Sequence, residues 1–222
     1  MSVFLGSELR PSERRPDGRF RVIPVPLERT VSFGAGTAAG PAAILAASNQ
    51  LERLCNGCEP CRAGIFTEPA LLCDGPLPKV MERLAQRTQA AVLAGAVPVV
   101  LGGEHALTYG AVIGVRRALG QALGVIQIDA HADLRVAYQG EQHSHASVMQ
   151  LLAGAQGLPL AQFGVRALCQ QEQEARKAYG VFYADAEELV VKALHAVDLP
   201  DGFPRHVYVS FDVDGLDPSV MP

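Results

Sequence analysis

Asp129, His131 and Asp133 occupy alternate positions in VIQIDAHADLR, residues 125–135. Residues two apart in an extended chain share a face, so these side chains are expected to converge where an apolar strand ends. Two carboxylates held together repel each other and require a positive partner. Two further apolar segments end in groups of the same kind. VPVVLGG (97–103) runs into Glu104 and His105, and HVYVSFDVD (206–214) delivers Asp212 and Asp214. The pooled candidates are two imidazoles and four carboxylates, with Glu104 in reserve and no thiolate. This set is too acidic for a structural zinc, which prefers four ligands rich in Cys and His. Oxygen-rich sites with some imidazole suit Mn²⁺, Mg²⁺ or Fe²⁺. Four carboxylates can serve two cations by sharing oxygens, and a pair of ions ~3.5–4 Å apart can hold a hydroxide at neutral pH. The chemistry indicated is metal-assisted hydrolysis.

Each piece also has a plainer use. His105 alone could be a polar residue at a helix start, and a lone D-x-D could cap a turn. Three converging polar groups after a core strand have few structural uses, and three such strand ends together have fewer. FDVDG (211–215) also resembles the nucleophile motif of haloacid-dehalogenase-type phosphatases. That motif opens its fold, whereas Asp212 here is followed only by residues 213–222, so the phosphatase reading is set aside. Cys55, Cys58 and Cys61 form C-x-x-C-x-x-C, with Cys73 downstream. The spacing permits a zinc or iron–sulfur site, but no second C-x-x-C pair or nearby His completes one. SFGAGTAAGP (32–41) is Gly-rich before a helix, yet it matches neither G-x-x-x-x-G-K nor G-x-G-x-x-G.

The elements that must position these groups alternate between strand and helix. Strands are predicted at 20–28, 97–103, 123–129, 161–166, 180–184 and 206–214, with helices over about 42–54, 76–95, 106–119, 169–179 and 185–196. The two prolines of FRVIPVPLE suit an edge or a strand end, and VPVVLGG is expected to be buried. This alternation predicts an α/β fold with a parallel sheet covered by helices on both faces, where ligands bind beyond the carboxyl ends of the strands.

Bulk properties agree. A chain of 222 residues, 49% hydrophobic and 19% charged, holds material for one sizeable core. We therefore expect a polar arm over 1–19 and one domain over 20–222. The formal charge of −4 and scattered Lys and Arg give no footprint for nucleic acid. No apolar run reaches the ~18 residues of a membrane span, and the amino terminus lacks a secretory apolar stretch. A soluble, cytoplasmic protein without membrane partners is expected. Five cysteines, an odd count, argue against a complete disulfide framework.

GGEHALTYG, DAHADLR and SFDVDGLDP, in this order, resemble the three signatures of the ureohydrolases, the arginase and agmatinase family. VPLERTVSFGAGTAAGPAAILAAS is similar to the family's amino-terminal region, and SHASVM to agmatinase-like members. The resemblance implies a three-layer, arginase/deacetylase-like open parallel sheet, two Mn²⁺ per chain and assembly as a homo-trimer or homo-hexamer. By position, it gives one Mn²⁺ to His105, Asp129, Asp133 and Asp212, and the other to His131, Asp129, Asp212 and Asp214. A hydroxide between the ions would attack a guanidinium carbon, with Asp133 relaying its proton to the departing amine. His145 in HSHASV matches the family's non-ligand histidine near the substrate, and is preferred to His143 because the match to S-H-A is contiguous. An imidazole with pKa near ~6.5 suits proton shuttling.

The implied reaction is agmatine plus water giving putrescine and urea. Guanidinobutyrate, guanidinopropionate or arginine is the alternative substrate, and a non-catalytic relative the alternative role. A deacetylase-like metal amidohydrolase is set against His105 and Asp133, which complete a second metal position. Glu141 stands where agmatinase-like members often have Asn, so it either attracts a cationic substrate tail or faces water. Glu104, where many relatives have Asp, is expected to support His105 from behind. The family continues past DPSVMP with a strand–helix unit carrying a carboxylate that pairs with the guanidinium. Full activity of these 222 residues is therefore not expected.

Overall fold

A computed structural model describes residues 2–194 and 196–221. The chain forms two compact units, Met1–Leu119 and Gly120–Pro222. Both are α/β, and among the described residues every strand pairing within their sheets is parallel.

In the first unit β1 (Phe20–Val25) leads through a Gly-rich loop to α1 (Gly40–Ala47), with Pro41 in its first turn as proline prefers. The helix stops earlier than its predicted end at residue 54, because Ser48–Gln50 tightens into a 3₁₀ turn. Then follow β2 (Ile65–Thr67), α2 (Leu77–Leu93), β3 (Val97–Gly102) and α3 (Thr108–Leu119). The strand order is β2-β1-β3, so proline-containing β1 is central, not an edge. Its pairing with β2 ends at Val22, so the N–H that Pro24 lacks leaves no gap in that ladder. The expectation of a buried VPVVLGG fails in part. β3 is an edge strand, and Val97 and Val99 are 38% and 37% exposed. Strand β2, only three residues long, went unrecognised.

α2 buries Leu77, Val80, Met81, Leu84, Ala85, Thr88 and Ala91, an apolar stripe at helical spacing. It meets α3 where α3 is smallest. A Cβ on Gly114 would lie 2.1 Å from the Ala85 carbonyl oxygen, and Thr88 Oγ1 donates to the Ala111 carbonyl at 3.0 Å.

The segment expected as an arm packs on this unit. Leu5 and Leu9 are buried with Val22, Leu45, Cys61 and Ile65. Glu13 locks it, because both its oxygens accept from Arg53 at 2.8 Å and one accepts from the Arg10 amide at 2.8 Å. These donors, Arg53 foremost, hold the Glu13 carboxyl down at about 2.

The second unit contains β4 (Leu123–Ile128), β5 (Leu160–Phe163), α4 (Gln170–Tyr179), β6 (Phe182–Ala184), α5 (Ala186–Val191) and β7 (His206–Phe211). α4 ends at Gly180 in the left-handed conformation, the usual stop for a helix. Gln150–Ala155, given no element from sequence, forms a π-turn. The strand order is β6-β5-β4-β7. The chain steps outward from β4 to β5 and β6, then returns to pair β7 on the free side of β4. That reversal is a topological switch point, where ligands bind in α/β sheets. Among the described residues no helix is long and apolar enough to cross a membrane.

Two outcomes follow from this packing. Gly114→Ala should force α3 off α2 and lower the urea unfolding free energy by about 2 kcal/mol. The Glu13 anchor, its pKa depressed from 4.5, contributes fully above pH 4.5 and is lost as pH falls toward about 2. Amides of residues 5–14 should therefore lose hydrogen-exchange protection, measured against the intrinsic rate at each pH, across that window, and Glu13→Gln should show the reduced protection already at pH 7.

Candidate metal centre

The ends of β4 and β7 build the site. Their register sets Ile128 beside Phe211, which brings the next residues, Asp129 and Asp212, side by side. The Asp212 amide donates to the Ile128 carbonyl at 2.9 Å, continuing the ladder by one bond. A carboxylate oxygen of Asp212 lies within 4.8 Å of one of Asp129. Beyond Asp212 the chain tightens into a 3₁₀ turn, Val213–Gly215, whose first amide side is capped as the Asp214 N–H reaches Asp212 Oδ1 at 3.4 Å. The turn folds Asp214 back, so that its Oδ1 accepts from the Ala130 amide at 3.1 Å. Gly215 makes this approach possible, since a Cβ there would sit 2.9 Å from the Asp129 nitrogen.

Within DAHAD, Asp129 and His131 converge by a different route from strand alternation. β4 stops at Ile128, and residues 129–133 form a pinned loop. The Ala130 carbonyl accepts from the Arg166 and Ala167 amides, and the Asp133 carbonyl accepts from Met149 and Gln150. The His131 amide turns back onto Asp129 Oδ1 at 2.7 Å. Asp133 takes φ +52°, a left-handed conformation that Asp tolerates better than most side chains.

Asp129, His131 and Asp214 present one ligand-type atom each, all within 4.8 Å of one another. Asp129 is 1% exposed and His131 is half-exposed. His131 Nδ1 lies 3.6 Å from Asp129 Oδ1 and 3.1 Å from Asp214 Oδ2. The two carboxylates, Asp129 first, push the imidazole pKa up to about 10. A corner that raises a histidine so far is a corner that attracts a cation. Its donors, two carboxylates and one imidazole with a third carboxylate adjoining, fit a divalent ion of the Mn²⁺ or Mg²⁺ kind. Asp133 is buried on the same loop but outside this trio.

Other predicted residues have found places of their own. His145 opens a 3₁₀ turn, His145–Ser147, and meets the Tyr138 ring edge-on at 5.4 Å between centroids. Glu141 closes a tight turn with Tyr138, and its Oε1 accepts from the His143 amide at 2.8 Å. In the first unit His105 begins a 3₁₀ turn directly after β3. Glu104, buried, accepts from the Arg29 amide at 2.6 Å, the Thr30 amide at 2.7 Å and the Thr30 hydroxyl at 2.9 Å. Its carboxylate thus clamps the turn at 29–30. The cysteines form no thiolate cluster among the described residues. Cys55 and Cys58 are exposed across the Asn56-Gly57 turn, while Cys61 is buried. Sequence reading passed over Gln127 and Gln162, although a Gln within the apolar strands VIQID and AQFGV was a visible signal. Gln127 Nε2 donates to Asp129 Oδ2 at 2.8 Å.

Comparison with known proteins now bears on this geometry. The model of the Arginase family matches residues 19–222. The chain belongs to the arginase family. It is 34% identical over 224 residues to an N(1)-aminopropylagmatine ureohydrolase of Synechocystis sp., covering 93% of this chain and 70% of that protein. A Thermus thermophilus protein of the same name is 34% identical over 225 residues, covering all of this chain and 75% of the relative. The agmatine ureohydrolase structure of Thermoplasma volcanium superposes with a TM-score of 0.82 at 25% identity, over 99% of this chain and 73% of that one. Arginase from Medicago truncatula gives 0.82 at 27% identity, over 92% and 68%. These matches establish the arginase fold, with parallel sheets and helices on both sides, and support a hydrolase of this family.

Gly215→Ala tests whether the 212–215 turn sets the centre in this arginase-family chain. The added methyl must push the turn off Asp129 by a few tenths of an ångström, so calorimetric Mn²⁺ affinity should fall about tenfold, the usual effect of disturbing a ligand's support.

Proposed function

We propose that the chain hydrolyses a guanidino compound of the agmatine type, agmatine or its N(1)-aminopropyl derivative, to urea and an amine. The observation that carries this reading is the Asp129–His131–Asp214 trio at the switch point of an arginase-family sheet. The substrate class draws support from SHASVM and from the names of the relatives that match along the chain. The ions proposed are two Mn²⁺, with the trio as the nucleus of their ligands. The roles that the resemblance gives to Asp133, Asp212 and His105 belong to the same proposal. Bound there, such ions would lower the pKa of the attacking water and offset the negative charge carried as its oxygen adds to the guanidinium carbon.

The remaining work falls to side chains of the chain. Asp129, deeply buried and hydrogen-bonded on both oxygens, provides fixed negative charge that favours cationic ligands and a cationic substrate. Asp133 accepts the proton lost by the attacking water and hands it to the departing amine nitrogen. His145, seated against Tyr138, moves a proton between that amine and solvent.

The test is urea release by Mn²⁺-loaded protein from agmatine, N(1)-aminopropylagmatine, arginine and guanidinobutyrate. The first two should exceed the others by at least about tenfold in kcat/KM, which is ~1.4 kcal/mol of discrimination. His145→Ala should lower kcat about 100-fold, the size of a lost proton-transfer group, with Mn²⁺ affinity retained. Protein that binds two Mn²⁺ yet releases no urea from any of the four, both as these 222 residues and with the family's carboxyl-terminal strand–helix unit restored, would sink the hydrolase reading.

A further inference from the structure

The interior of a parallel sheet is normally apolar, because both faces are covered. β4 and β5 each break that rule once. Gln127 and Gln162 are fully buried, and the strand register makes them direct neighbours. A buried amide is costly unless its donors and acceptors are matched, so the pair must be satisfied from within. It is satisfied in series. Arg176, 2% exposed in the last turn of α4, donates from Nε to Gln162 Oε1 at 2.8 Å. Gln162 Nε2 donates to Gln127 Oε1 at 2.6 Å and to the Ala132 carbonyl at 2.7 Å. Gln127 Nε2 donates to Asp129 Oδ2 at 2.8 Å and to the His131 carbonyl at 3.2 Å.

The direction of this series is forced. An isolated amide can turn over, exchanging its oxygen and nitrogen. Here one end of the series is a guanidinium, which can only donate, and the other is a carboxylate, which can only accept. Turning either glutamine would set donor against donor at Arg176 or acceptor against acceptor at Asp129. Arg176 is held in turn by Asp185, with nitrogen–oxygen contacts of 3.0 and 3.1 Å, and lies over the Tyr183 ring at 4.4 Å. At the far end the His131 amide occupies Asp129 Oδ1 at 2.7 Å, so each carboxylate oxygen has a protein donor.

We propose that Arg176, Gln162 and Gln127 are positioning residues, a one-way hydrogen-bond relay that fixes the Asp129 carboxylate for a divalent cation. The relay rests on the metal-centre reading and deepens it. It ties the rotamer of one ligand to α4 and to Asp185, elements remote in sequence from the DAHAD loop.

The experiment is calorimetric Mn²⁺ titration of the full chain and its variants, alongside the unfolding midpoint before metal is added. Gln162→Met keeps the length of the side chain and removes both its acceptor and its donors. Mn²⁺ affinity should fall about tenfold, and the EPR line shape at saturating Mn²⁺ should change, because Asp129 gains freedom. Leu123→Ala, a cavity variant at the opposite end of β4, should lose stability and keep wild-type Mn²⁺ affinity and line shape. Gln162→Glu keeps the acceptor facing Arg176 but has no donor for Gln127, so it should weaken Mn²⁺ as well, and it serves where the Met variant does not fold. Wild-type affinity in either Gln162 variant overturns the relay, as does an equal affinity loss in Leu123→Ala. A wild-type chain that binds no Mn²⁺ overturns the metal centre itself, a different result from a wild-type chain that binds and variants that match it.

Discussion

The parallel register of β4 and β7 is the constraint from which the candidate site follows. Once Ile128 pairs with Phe211, Asp129 and Asp212 are adjacent, and the turn after Asp212 returns Asp214 to the same corner. At an effective dielectric of ~20, two like charges ~5 Å apart repel by about 3 kcal/mol. A hydrogen bond to a charged group recovers roughly 1.5–3 kcal/mol. The donors on Asp129, Gln127 Nε2 and the His131 amide, therefore offset about one such repulsion. The remaining imbalance is what a protonated His131 or a divalent cation has to answer.

Holding the corner together is mainly backbone work. The 129–133 loop is stitched to residues 166–167 through the Ala130 carbonyl and to residues 149–150 through the Asp133 carbonyl. These bonds let Asp133 stay at φ +52°, a conformation that ordinary residues avoid at a cost of ~1 kcal/mol or more. Gly215 has the complementary role, removing a side chain so that one turn can lie against Asp129. In the first unit Glu104 spends three hydrogen bonds on residues 29 and 30, tying the end of β3 to the loop after β1. In both units, loops that carry the candidate side chains are fixed by bonds to neighbouring segments, as sites on rigid scaffolds require.

The parts of this that were legible in sequence are those with a local signal. α2 showed its apolar stripe and α4 its polar run before Gly180, and both formed within two residues of expectation. The three charged strand ends were visible as residue types after apolar runs, and two of them meet in the second unit as the Asp129, His131, Asp214 trio. Strand β2, three residues long, offered too little pattern, and the π-turn at 150–155 has no composition signature. The burial of VPVVLGG was overestimated because hydrophobicity alone does not say which strand lies at a sheet edge. Alternation anticipated the meeting of Asp129 and His131 for an incomplete reason, since a loop held by distant amides converges them where strand geometry has ended, and it did not anticipate that Asp133 lies outside the trio. Gln127 and Gln162 were written plainly in two apolar strands. Their meaning depended on the register that makes them neighbours, which no single segment contains.

That pair also bears on why the corner is built from polar parts at all. A matched apolar interior is commonly as stable as a buried polar network or more so, so stability alone gives no reason to keep two glutamines and an arginine inside the sheet. What the network supplies is orientation of a charged group that burial would otherwise disfavour. The same logic governs His131. Its pKa is raised from 6.5 to about 10, so its stabilising contribution is complete below pH 6.5 and is lost as pH rises through about 10. A divalent ion needs the neutral imidazole, and so competes with that proton for the same carboxylates. The proton and the cation are alternative answers to one electrostatic demand, set by strand register and kept in place by buried hydrogen bonds.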